Sequence, residues 1–184
     1  MMLCLLVMLG QLTGCRPSGA SFSGAKALEF VSRQLDLGPR PTGSEANRRC
    51  SDYIARTLRS YGWQVELQEF TQGGLPIRNV LATKGQGPLI VLGTHFDTRP
   101  VADLDPVNKS QPILGANDGA SGTAVLLELA RVLSSEATDQ AQIMLAFFDA
   151  EDRGDLNDWD FSVGAEYAAA RLPRAPSMVI IVDM

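Results

Sequence analysis

Apolar and polar positions follow two different periods along this chain, and the change between them divides it. Phe22, Ala25, Leu28, Val31 and Leu35 recur at helical spacing, and Gly38-Pro39 ends the run, so the spacing predicts a helix over Phe22 to Leu37. Ser44 is an N-cap candidate for a second helix, with Tyr53, Ile54, Thr57, Leu58 and Tyr61 as its stripe and Gly62 as its stop. Trp63 to Phe70 then alternates with period two: Trp63, Val65 and Leu67 point one way, and Gln64, Glu66 and Gln68 the other. That is a strand with one solvated side. Gly73-Gly74 turns the chain into a second strand, Ile77 to Ala82.

After Pro88 the alternation gives way to continuous apolar runs at Leu89 to Gly93, Ile143 to Phe148 and Met178 to Val182. Runs this short, rich in β-branched and aromatic residues, predict strands covered on both faces. Ala120 to Leu133 lies between the first two, with Val125, Leu126, Leu129, Val132 and Leu133 as its core face, and Phe161 to Leu172 lies between the last two. Strands alternating with helices predict an α/β fold: three layers, α/β/α, around a mixed, mostly parallel sheet.

The 184 residues carry 16 Lys+Arg against 21 Asp+Glu, a net charge of −5, and no basic run, which speaks against a nucleic-acid partner. The N-terminus has its own character. Met1 to Leu12 is apolar but too short to span a bilayer, and it ends in Leu12-Thr13-Gly14-Cys15. That stretch resembles a bacterial lipoprotein signal, although no Lys or Arg precedes the apolar run. The resemblance implies a signal peptide over residues 1–14, lipidation of Cys15, a linker over 15–21, and export to the bacterial cell envelope with a lipid anchor in the membrane. Cys50, the one cysteine of the body, reads as a buried or half-buried thiol.

Chemistry gathers where the apolar runs stop. Thr94-His95-Phe96-Asp97 follows the first, Asp149-Ala150-Glu151-Asp152 the second and Asp183 the third, while Asp118 sits in the glycine-rich turn Gly115 to Gly122. In open α/β sheets ligands bind outside the carboxyl ends of the strands. Carboxylates crowded there raise one another's pKa unless a cation offsets them, and oxygen with imidazole donors suits a catalytic Zn²⁺ that leaves one position open.

Gly93-Thr94-His95-Phe96-Asp97-Thr98-Arg99-Pro100, Gly115 to Gly122 running into Leu126 to Arg131, and Phe148 to Asp152 together resemble the zinc aminopeptidase family that includes the animal-type glutaminyl cyclases. The likeness begins at Leu35 to Ser44 and reaches Asp183; Thr98-Arg99-Pro100, and Asp152 where the peptidases usually place Glu, make it closest to the bacterial cyclases. The resemblance implies Asp118 and Asp152 as metal ligands and Glu151 as general acid/base. Asp183 would bind a second metal or the substrate amine. His95 would be a ligand of that second metal, oriented by Asp97. Trp159, in the loop Gly154 to Asp160, reads either as a wall of the substrate pocket or as an ordinary packing aromatic. The resemblance implies one Zn²⁺ for a cyclase and two for an aminopeptidase, with peptide or protein N-termini as substrates.

The family takes its last zinc ligand from a His downstream of the position of Asp183, and no His follows here. Residues 22–184 therefore read as the N-terminal part of one catalytic domain, incomplete at its C-terminus. Three functions stay open on the sequence: a cyclase converting N-terminal glutamine to pyroglutamate, a zinc aminopeptidase, and a catalytically inactive lipoprotein that serves as a binding module.

Overall fold

A computed structural model describes residues 20–135 and 140–183. Cys15 and the leader lie outside the described residues. Helix α1 (Gly24–Leu35) is capped by Ser23, and α2 (Glu45–Ser60) by Ser44, whose Oγ accepts from Asn47 N. Strands β1 (Gln64–Gln72) and β2 (Leu75–Gly85) form the hairpin over Gly73-Gly74, and β3 (Leu89–His95) follows. Then come α3 (Ala120–Val132), β4 (Gln142–Phe148), α4 (Val163–Ala169) and β5 (Met178–Ile181).

The sheet has five strands in the order β1-β2-β4-β3-β5. β2 runs antiparallel to both β1 and β4, while β3 lies parallel to β4 and to β5. Four strands therefore point one way and only β2 is reversed, as expected of a mixed, mostly parallel sheet. Alternate residues of β4 supply the two faces. Leu145 and Phe147 meet Ile54 and Leu58 of α2 and Leu126, Leu127 and Ala130 of α3. Met144, Ala146 and Phe148 meet Leu89, Val91 and Ala168 of α4. These are the three layers of the fold.

Several expectations shift in detail. Helix α1 is shorter than Phe22 to Leu37 and turns a different face inward: Leu28 is exposed and Gln34 is buried, because the Gln34 amide donates to Ala120 O and Phe30 O. In α3 the buried set includes Leu127, Glu128 and Ala130, so the helix is enclosed more widely than one stripe would make it. Glu128 is accommodated there because it accepts from Ser23 N and from Arg131. Helix α4 is less than the predicted Phe161 to Leu172. β5 departs most: a run expected to be buried is 45–57% exposed at all four residues, because among the described residues β3 is its only sheet neighbour and no layer closes over it.

Candidate metal and active site

Strand register brings the chemistry together. β3 pairs His95 with Phe148 on one side and Gly93 with Ile181 on the other, so one more residue places Asp149 just past His95, and two more place Asp183 level with it. Val182 N donates to Gly93 O at 2.8 Å, which carries the alignment past the end of β5. The carboxyl ends of three parallel strands thus open onto one spot.

Asp118 reaches that spot from the turn before α3. Gly119 holds φ +82°, and a Cβ there would stand 2.6 Å from Asp97 O and 3.4 Å from the His95 ring. Only glycine lets the turn approach so closely. On the β4 side, Ala150 has φ +61°, an unusual value for a residue with a side chain. It redirects the chain so that Glu151 and Asp152 follow one another at the rim, and Asp97 fixes the result by accepting from Glu151 N and Asp152 N, each at 3.1 Å.

His95 Nε2 lies 2.9 Å from Asp118 Oδ1 and 3.4 Å from Asp183 Oδ1, and Nδ1 lies 3.5 Å from Asp97 Oδ1. His95 is 5% exposed, and among the described residues its Nδ1 has no hydrogen-bond partner. One donor atom from each of His95, Asp118 and Asp152 falls within 4.8 Å of the others. A ring nitrogen facing two carboxylates needs a proton or a cation among them. Without an ion the protein holds protons: burial opposes charge on the imidazole, but Asp118 and Asp97 overcome it and push its pKa up to about 11. Asp152 is raised to about 7, by burial first and then by Asp97. Asp118, bonded to His95, is lowered. Two carboxylate oxygens and one imidazole nitrogen aimed at them fit a divalent ion such as Zn²⁺.

Of the residues expected at the site, His95, Asp97, Asp118, Asp152 and Asp183 converge. Glu151 and Asp183 line a small cavity of about 130 Å³ beside the cluster, together with Thr94, His95, Phe148 and Ile181. Trp159 does not line it. Its indole packs against the hairpin turn at Gly73 and beside Ile77, Ala150 and Val163, with the Arg153 guanidinium 5.0 Å from the ring centroid. Asp149 turns inward instead of toward the cluster. It accepts from Thr42 Oγ1, Asn47 Nδ2, Arg78 N and Ala150 N, and burial followed by the charge of Asp97 raises it to about 7.

Sequence reasoning missed the residues that support this frame. Thr42 Oγ1 sits between Asp97 and Asp149 at 3.3 and 3.0 Å. Arg99 pairs with Asp103 through two bonds and donates to the carbonyls of Asp152 and Gly154. Neither stands out by spacing, although both lie in segments that carry the family resemblance.

The mixed, mostly parallel sheet with its flanking helices matches the fold of solved zinc exopeptidases. A solved Zn-dependent exopeptidase from Parabacteroides distasonis is similar at 31% identity and a TM-score of 0.79, over 91% of this chain and 63% of that one. Residues 79–184 match peptidase family M28, and the chain belongs to that family. A glutaminyl-peptide cyclotransferase of Drosophila melanogaster is 30% identical over 149 residues, 73% of this chain and 40% of the relative. The crystal structure of Porphyromonas gingivalis glutaminyl cyclase is 36% identical with a TM-score of 0.78, over 89% of this chain and 61% of that one. The chain thus spans less than half the Drosophila protein and about three fifths of each solved structure.

Proposed function

We propose that the protein is a zinc-dependent glutaminyl-peptide cyclotransferase, which converts an N-terminal glutamine to pyroglutamate and releases ammonia. The convergence of His95, Asp118 and Asp152 beside Glu151 carries this reading, and the likeness to glutaminyl cyclases selects the reaction. Asp118 and Asp152 would hold the ion, with His95 in reach; when bound, Zn²⁺ supplies Lewis-acid polarisation of a carbonyl.

The chain's own residues do the rest. Asp183, at the mouth of the cavity, receives the substrate's α-amine in its neutral form and orients it. Glu151 takes a proton from the α-amine as its nitrogen bonds to the δ-carbon of the side chain, and returns that proton to the amide nitrogen as the carbon–nitrogen bond breaks and ammonia departs. Ring closure is intramolecular, so holding amine and carbonyl together is a large part of the task.

The His95 ring within the cluster favours a second reading, an aminopeptidase with two ions, in which His95 and Asp183 serve the second. Incubation with glutamine naphthylamide separates the two. Ammonia without free naphthylamine is the cyclase result, and free naphthylamine without ammonia overturns it in favour of hydrolysis. Location is a proposal of the same kind: an exported lipoprotein anchored through Cys15, for which mass spectrometry of the mature N-terminus should find a diacylglyceryl-cysteine.

A further inference from the structure

Arg40 is fully buried. Its guanidinium donates to five main-chain carbonyls: Phe96 O at 3.1 Å, Gln34 O at 3.5 Å, Gly38 O at 3.2 Å, Leu114 O at 3.0 Å and Gly115 O at 2.9 Å. Among the described residues no carboxylate pairs with it within ion-pair distance. Such a charge is costly to bury, and the Arg fork meets these acceptors from all three nitrogens, Nη1 sharing its two N–H groups among Gln34, Gly38 and Leu114.

The acceptors fall on segments that carry candidate ligands. Phe96 lies between His95 and Asp97, and Leu114-Gly115 opens the turn that presents Asp118. These two segments are joined otherwise by close contact: a Cβ at Gly115 would stand 2.3 Å from Thr98 Cγ2 and 2.6 Å from Asp118 O. The Arg40 main chain reinforces the link, since Arg40 N donates to Thr98 Oγ1 at 2.9 Å and Thr98 N donates to Arg40 O at 3.2 Å. Asn47 Nδ2 bonds both Arg40 O and Asp149, extending the brace to the end of β4. Burial works against the charge on Arg40, and the carboxylates of Asp97 and Asp118 favour it. The cation thus also offsets part of the repulsion among the acids above it.

We infer that Arg40 is a positioning residue for the metal site: by clamping the carbonyls of Phe96, Leu114 and Gly115, it sets the distance between His95 and Asp118 and thereby the affinity for a divalent ion. The inference rests on the metal-site reading above and names a residue that touches neither ion nor substrate. Supports of this kind typically change metal affinity about ten- to a hundredfold when removed.

The test measures Zn²⁺ affinity by competition with a chromophoric chelator, and the visible absorption of the Co²⁺-substituted protein, on the full chain. Arg40→Met should weaken Zn²⁺ binding by about ten- to a hundredfold and alter the Co²⁺ bands. Arg40→Lys, with the charge but not the fork, should recover only part. Leu58→Ala, which removes core packing without touching the clamp, should lose stability and keep both metal readouts. If Arg40→Met does not fold, Arg40→Lys and Thr98→Val decide on the same measurements. Folded Arg40 variants with wild-type affinity and wild-type Co²⁺ spectra overturn the role of Arg40 alone. A wild-type chain that takes up no Zn²⁺ overturns the metal-site reading along with it.

Discussion

β3 and β5 are neighbouring parallel strands with nearly the same apolar character, yet the protein treats them differently. β3 lies between β4 and β5 and ends in His95, whose ring is enclosed by Asp97, Asp118 and the backbone at Gly119. Among the described residues β5 pairs on one edge only, and all four of its residues are exposed. Asp183, carried past the end of β5, is accordingly half exposed where Asp97 is buried. The comparison shows that this site has a fixed half and a marginal half. Ligands from β3, β4 and the α3 turn stand on a packed frame, whereas Asp183 stands on a strand held by a single ladder.

Substitutions can break or sharpen that contrast. In the fixed half, Leu145→Ala opens a cavity in a fully buried position of β4 and should cost about 2–5 kcal/mol, read as a shift in the urea midpoint at unchanged slope. A loss no larger than that of a surface substitution would show that β4 is not the centre of the core.

Titration of the metal-free protein should give the next largest effect. Asp149 and Asp152 both have folded values near 7, above the ordinary 3.8. An acid whose folded pKa is raised contributes stability that is complete below the unfolded value and is lost as pH rises through the folded one. With a chelator present, stability should therefore fall from about pH 4 to pH 7, while His95, raised from 6.5 to about 11, keeps its contribution up to its unfolded value and begins to lose it above that. Stability that stays flat or climbs over this window contradicts the buried-acid arrangement.

Asp152→Asn separates binding from folding. It should remove high-affinity Zn²⁺ binding, because one of three donors is gone. In chelator above pH 7 it should make the protein slightly more stable, because a carboxylate beside Asp97 has been neutralised. Calorimetry and thermal melts on the same preparation check both signs.

The smallest effect belongs to the marginal half. Val179→Ala, at a position 53% exposed, should change stability by less than about 1 kcal/mol. A loss approaching that of Leu145→Ala would mean that β5 is covered in solution.

Much of this architecture was legible because it is local. Ser44 ahead of a helical stripe announces a helix start, Gly73-Gly74 announces a hairpin, and the runs around Val91 and Leu145 announce covered strands. The inner face of α1 was read wrongly because a buried Gln34, satisfied by Ala120 O, carries no apolar signal. At the site, the sequence places His95, Asp97, Asp149, Glu151, Asp152 and Asp183 at strand ends and Asp118 in a turn before a helix; the structure sets His95, Asp97, Asp118, Asp152 and Asp183 together with Glu151 beside them, and turns Asp149 inward. Asp149 was invisible as a frame residue, since its partners Thr42, Asn47 and Arg78 lie 107, 102 and 71 residues away along the chain.

The order of side chains along the chain determined the elements, the alternation of strands and helices, and the placing of acids and one imidazole just past the apolar runs, because period and turn chemistry act over a few residues. Which nitrogen of His95 meets which carboxylate, which acid faces inward, and that Arg40 lies beneath them all were decided only by the tertiary structure. Those outcomes depend on burial and on hydrogen bonds between distant segments, and such forces exist only once the sheet has been assembled.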